Sequence, residues 1–133
     1  MSAARDDVKA RIDAIEESYE FYLAYAAQGL SSDQGVKSGG QLREFLTQME
    51  KALDGLADSF RAVVKDDPAA PPGVWDAVLS VLDADASASL ATIRLVASRA
   101  GISSQLIDNL NANIHLRALL TDLFLMDDLI DQS

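Results

Sequence analysis

The chain has one histidine, His115, so metal or haem chemistry must be built around it or from carboxylates alone. A carboxylate-bridged di-iron site in a helical protein takes a Glu from each of two helices and a Glu-x-x-His from each of the other two, all facing inward. The residue three before His115 is Ala112, Glu44 falls opposite the apolar stripe of its segment, and Glu16, Glu17 and Glu20 flank or leave theirs. That motif is absent. Haem held by His115 and a methionine is a second option. However, His115 projects about 120° away from Leu106, Leu110 and Ile114, which favours a surface position. One histidine without a nucleophile context supports no Ser, His, Asp relay. The stretch GVKSGGQ at 35–41 lacks the preceding strand and the GK[ST] ending of a phosphate loop. No catalytic, metal-ligating or cofactor-binding residue is assigned, and the chain reads as a non-enzyme without a cofactor.

The polar residues that stand out are Asn109, Asn113 and Arg117, spaced by four at the edge of a stripe that carries Leu110 and Phe124. Arg117 and Asn113 are expected to be buried polar residues. A buried Arg117 requires a carboxylate, with Glu16, Glu20 or Glu50 as acceptors. Such a layer usually fixes register or oligomeric state; an anion site is the functional alternative. Tyr19 and Tyr22 read as core residues with hydroxyls at the edge.

These residues sit in a pattern that is helical throughout. There is no sustained alternation, aromatics are only 6%, and Ala, Leu, Asp, Glu, Lys, Arg and Gln dominate, as in helices rather than strands. Turn residues cluster at Gly29 to Gly40, at 66–73 (DDPAAPPG) and at Gly101. Three breaks define four segments. The first runs from about Ala3 to Gln28, with Gly29 as its left-handed cap. The second opens at Ser38 with a capping box to Gln41 and carries Leu42, Phe45, Leu46, Met49, Leu53, Leu56, Phe60, Val63 and Val64. The third begins after Pro71 and Pro72 and runs to about Arg99. The fourth starts at Ser103 or Ser104, with Ile102 and Ile107 spaced for a hydrophobic staple, and runs to the end.

Segments of about 26 to 30 residues are about 40 Å long, and the short loops allow only antiparallel neighbours. The expected architecture is all-α, a single domain over 1–133 forming an antiparallel up-down-up-down four-helix bundle. Leu46, Met49, Leu53, Phe60, Leu79, Leu82, Ile93, Leu110 and Phe124 are its expected core.

A chain of 133 residues buries roughly two-thirds of its unfolded surface without disulfides or metals. It has no cysteine, which fits a reducing compartment, and cytoplasmic location is the expectation. The charged N-terminal stretch lacks the apolar run of a signal peptide, and no run reaches the roughly 18 apolar residues of a membrane span. With 21 acidic and 11 basic residues the net charge is −10, which opposes phosphate backbones and anionic lipids. Neither nucleic acid nor membrane is expected as a partner. The acidity serves solubility or a protein with a basic surface.

The ending, ALLTDLFLMDDLIDQS at 118–133, is apolar around its whole circumference, and a helix of that kind must be covered on every side. Three bundle neighbours leave one side over. The expected interface comprises Leu119, Leu123, Met126 and Ile130, with Phe21 and Tyr25 pointing away from the first stripe. Asp127, Asp128 and Asp131 lie where the helix dipole prefers cations, and Lys9, Arg5 or Arg11 of an antiparallel first helix would answer them. The chain therefore reads as a non-catalytic helical-bundle interaction protein, an adaptor, assembly factor or structural accessory. It is expected to homodimerise through helices one and four. The alternative is a ligand- or metal-binding bundle, distantly ferritin-like, that uses carboxylates rather than histidines.

Overall fold

The described residues form six helices, in place of the four long ones expected: α1 (Ala3–Ala26), α2 (Lys37–Leu53), α3 (Leu56–Val64), α4 (Val74–Ala97), α5 (Ser104–Asn111) and α6 (Ile114–Asp131). The computed structural model describes residues 2–65 and 67–131. The first residue of the expected 66–73 break and the last two residues of the expected fourth segment lie outside the described residues. The protein is all-helical, 78% in helix, with no strand among the described residues. No described helix is long and apolar enough to cross a membrane.

The two additional breaks have local causes. Segment two ends at Leu53 because Asp54 is extended and Gly55 takes a left-handed conformation, φ +76°, which costs an L side chain about 1–2 kcal/mol. Segment four breaks at Ala112 because Asn113 starts a new helix. Its Oδ1 accepts from the amides of His115 (3.0 Å) and Leu116 (3.3 Å), two of the donors that a helix start leaves unpaired. At the start of α2 the expected capping box does not form. Val36 is the cap residue, and the Ser38 hydroxyl donates to Gln28 instead. Ser103 does cap α5, accepting from Leu106 N, and Ile102 and Ile107 on either side of it are fully buried.

α1 packs on α2, α3 and α5, while α4 packs on α2, α3 and α6. The buried side chains form one cluster drawn from all six helices. Of the expected core, Leu46, Met49, Leu53, Phe60, Leu79, Leu82, Ile93 and Leu110 are buried. Phe124 is the exception, with 65% of its surface in solvent.

Helix ends are held by arginines from other elements. Arg11 of α1 donates to the Ala52 and Asp54 carbonyls (3.2 and 2.6 Å) at the end of α2. Arg43 of α2 donates to Ala97 O (2.7 Å) and Arg99 O (2.8 Å) at the end of α4 and to Asp33 Oδ2 at 2.8 Å. Arg5 donates to Ile130 O at 2.7 Å. Asp33 completes the second knot by accepting from Ile102 N at 2.7 Å. Burial alone would raise the Asp33 carboxyl, but Arg43 and the Ile102 amide hold it below its ordinary value. Gly39 passes so close to this loop that a Cβ would sit 1.8 Å from Asp33 O. Beside it, the Tyr25 hydroxyl donates to Ile102 O, and Ser104 donates to Tyr25 O.

Leu53→Ala should cost about 2–5 kcal/mol in chemical denaturation, as large-to-small core changes do. Arg43→Met should cost about 2–3 kcal/mol because Asp33 is left buried without its cation. Adding Asp33→Asn to that variant should recover part of the loss; strict additivity would show that the two are not coupled.

Candidate interaction surface

α6 is apolar around its axis, as the sequence indicates, but its sides are assigned differently. Leu119, Leu123, Met126 and Ile130, expected on the surplus side, point into the chain's own core with Leu116 and Leu120. Tyr25 is also fully buried, and Phe21 is half-buried, its ring stacked on Phe45 at 4.7 Å between centroids. The expected dimer contact through these side chains therefore loses its material. The reason is the period: eight apolar residues around one axis fit two opposite stripes equally well, and only packing chooses between them.

The apolar residues left outside are Ile114, Phe124, Leu125 and Leu129. α4 adds a second exposed set, Val74, Val78, Val81 and Leu95. The start of α4 meets the end of α6, where Trp75, Leu129 and Ile130 line one pocket, so the two helices run antiparallel. At 100° per residue the four exposed residues of α4 fall in an arc of about 100° that also contains Asp85. On α6, Leu125 and Leu129 share an arc of about 60° with Asp122. The carboxyls of Asp85 and Asp122 lie close enough to interact. The two arcs therefore meet along the outer α4–α6 seam, with Val81 at 58% and Leu125 at 59% exposure flanking the acid pair.

The pair has no counterion among the described residues. Asp122 Oδ2 is buried with no donor among the described residues, unless a proton is shared with Asp85. Burial, then the hydrogen bond with Asp85 and its charge, pushes the Asp122 carboxyl up to about 7. One turn further along α4, the buried Ser89 hydroxyl is also without a partner among the described residues.

Arg117 does not fulfil its expected role. It is exposed and makes no ion pair among the described residues. It does share a groove of about 320 Å³ between α1 and α6 with Glu16, Tyr19, Glu20 and Phe124, so two of the acceptors named from sequence, Glu16 and Glu20, are its neighbours without being its partners, while the third, Glu50, lies by Arg94 instead. Burial, with Asp13, Asp127 and Glu20 nearby, pushes the Glu16 carboxyl above its ordinary value. Asn113, expected as a buried polar residue, is half-buried and serves as the α6 cap. His115 is exposed. The acidic end of α6 is answered within the chain: Lys9 Nζ lies 2.5 Å from Asp127 and 2.6 Å from Asp131, and Asp127 first, then Asp131, raises the Lys9 pKa.

The residue that sequence reasoning missed is Asp122, together with Asp85. Its signal was a carboxylate standing between Leu119, Leu120, Leu123 and Met126, within a run otherwise read as apolar. No group of three or more His, Asp or Glu close enough to hold a metal occurs among the described residues. No family model, curated protein or solved structure matches the chain.

A raised folded-state pKa means that the native chain holds a proton that the unfolded chain gives up between about pH 4 and 7. Through this pair stability therefore falls as pH rises across that window, and the penalty is fully present above about 7. Asp122→Asn supplies a permanent donor to Asp85. It should stabilise the protein at pH 8 by about 1–3 kcal/mol and flatten the slope of stability against pH between about 4 and 7. An unchanged slope would place the titration elsewhere. Arg117→Ala, by contrast, should change stability by no more than about 0.5 kcal/mol.

Proposed function

We propose that this is a non-catalytic helical interaction protein, an adaptor or assembly factor, which binds another protein through the outer α4–α6 face. The observation that carries the reading is the exposure of Val74, Val78, Val81, Leu125 and Leu129, which helical spacing brings to one seam. Exposed apolar patches of this kind on a small chain mark interaction sites when they are contiguous rather than scattered. Outward positions on α2 and α3 include Glu44, Lys51, Asp58 and Arg61, a solvated pattern, and the other large exposed apolar side chains, among them Leu23, Ile114 and Phe124, lie outside the seam.

In this reading α2 with α3, and α5 with α6, each act as one broken rod. The six helices then work as an antiparallel up-down-up-down bundle of four rods, whose fourth rod presents its spare side outward. A cytoplasmic setting goes with the reading and draws on the cysteine-free composition.

A photo-crosslinking residue placed at Val81 or Leu125, in the cells that make the protein, should yield discrete adducts. The same residue at Glu44 or Asp58, on the far side, should yield none. Equal labelling from all four positions, or none from any, would overturn the proposal. An adduct of twice the chain mass would make the partner a second copy.

A further inference from the structure

Resting on the reading of this face as a docking surface, we propose that its occupant is an amphipathic helix of another protein, which sets an arginine or lysine within its apolar stripe over the Asp85–Asp122 pair. Two independent observations meet there. The first is shape. Val74, Val78 and Val81 recur at one-turn spacing along α4, and Leu125 and Leu129 do so along α6, so the outer seam of two antiparallel helices offers ridges at helical period. An incoming helix with apolar residues at i, i+3, i+4 and i+7 fits that period. An extended segment does not, and there is no strand edge among the described residues for one to join.

The second observation is charge. Two carboxyls sit side by side in the middle of the apolar seam, and no lysine or arginine pairs with either of them among the described residues. The neighbouring cations are turned elsewhere. On α4, Arg94 approaches Glu50 of α2, while Asp76 faces Arg61 of α3. On α6, Arg117 lies five residues before Asp122 and so projects about 140° away from it, into the groove against α1. His115 is two turns from Asp122 on the same flank and exposed.

An apolar helix docked here would bury both acids further without a counterion, which is strongly unfavourable. A guanidinium or ammonium carried on a long apolar stem reaches the pair while its methylenes lie on Val81 and Leu125. The same requirement excludes a second copy of this chain. A two-fold axis through the seam would set acid pair against acid pair between molecules that each carry −10, a like-charge contact that disfavours association.

The probes are two synthetic amphipathic helices with the same Leu and Ala stripe and the same net charge. One has arginine at the centre of the stripe; the other has glutamine there and the arginine on its polar face. Fluorescence anisotropy at pH 8 should show the first binding the full-length protein at least about tenfold more tightly. That preference should vanish in Asp85→Asn with Asp122→Asn, a variant whose helicity and melting are checked by circular dichroism. Val81→Asp with Leu125→Asp should abolish binding of both probes. Equal binding of the two peptides, still sensitive to Val81→Asp and Leu125→Asp, would overturn the cation requirement and leave the docking face standing. Binding of neither peptide, or binding indifferent to those substitutions, would overturn the docking face itself. A concentration-dependent dimer that those substitutions dissociate would make the second copy the occupant and overturn the proposal.

Discussion

Helix ends, more than helix faces, organise this protein. Every helix leaves its last carbonyls without an internal partner, and a chain broken into six helices has many such ends to satisfy. Three arginines, each from a different element than the one it caps, meet the need: Arg11 at the end of α2, Arg43 at the end of α4 and Arg5 at the end of α6. A guanidinium suits the task because its fork reaches several carbonyls at once and its charge complements the negative end of the helix dipole. Arg43 takes on more than the others. By joining Asp33, Ala97 and Arg99 it ties the loop after α1 to the turn before α5, and Ser104 and Tyr25 lock that turn to α1. The position of α5, and through it the direction of α6, follows from this knot.

The sequence shows most of the fold because periodicity is a local property. The stripes of Leu42, Leu46, Met49 and Leu53, and of Leu79, Leu82, Ala86 and Ile93, lie at three and four spacing, and each is buried. The two additional breaks were less visible. Gly55 sits inside an unbroken apolar period, and Asn113 is the last of three asparagines at alternate positions, of which it forms the cap. Arg43 and Arg117 illustrate the limit. Both lie beside an apolar stripe, yet the first meets three carbonyls and a buried acid while the second faces water. The difference lies in which chain end passes nearby, and pattern within one helix does not encode that.

The same limit explains α6. Its residues announce that every side is apolar, but not which side has neighbours. α4 covers one flank, the core the next, and α1 approaches only at the far end, where Lys9 meets Asp127 and Asp131. Elsewhere the α1 flank opens into the groove beside Arg117. Ile114, Phe124 and Leu125 are left largely outside by this arrangement, and Leu129 is covered only in part, beside Val63, Val64 and Trp75.

Asp122 is best understood against that background. A leucine at the same point would continue the apolar flank and pack on α4 at no electrostatic cost. The carboxylate instead faces a second acid, and Asp122 loses hydration without gaining a cation among the described residues. Local rules broken without compensation inside a chain tend to mark sites where the compensation comes from outside. Several other tight or charged positions are resolved internally: Gly39 by the absence of a side chain against Asp33, Asp33 by Arg43, and Asp127 and Asp131 at the end of α6 by Lys9. The acid pair differs from the other unpartnered groups among the described residues, such as the buried Ser89 hydroxyl and Asn111 amide, in lying within the exposed apolar seam, which makes the two one feature. A partner that covers the leucines and valines must also answer the carboxyls.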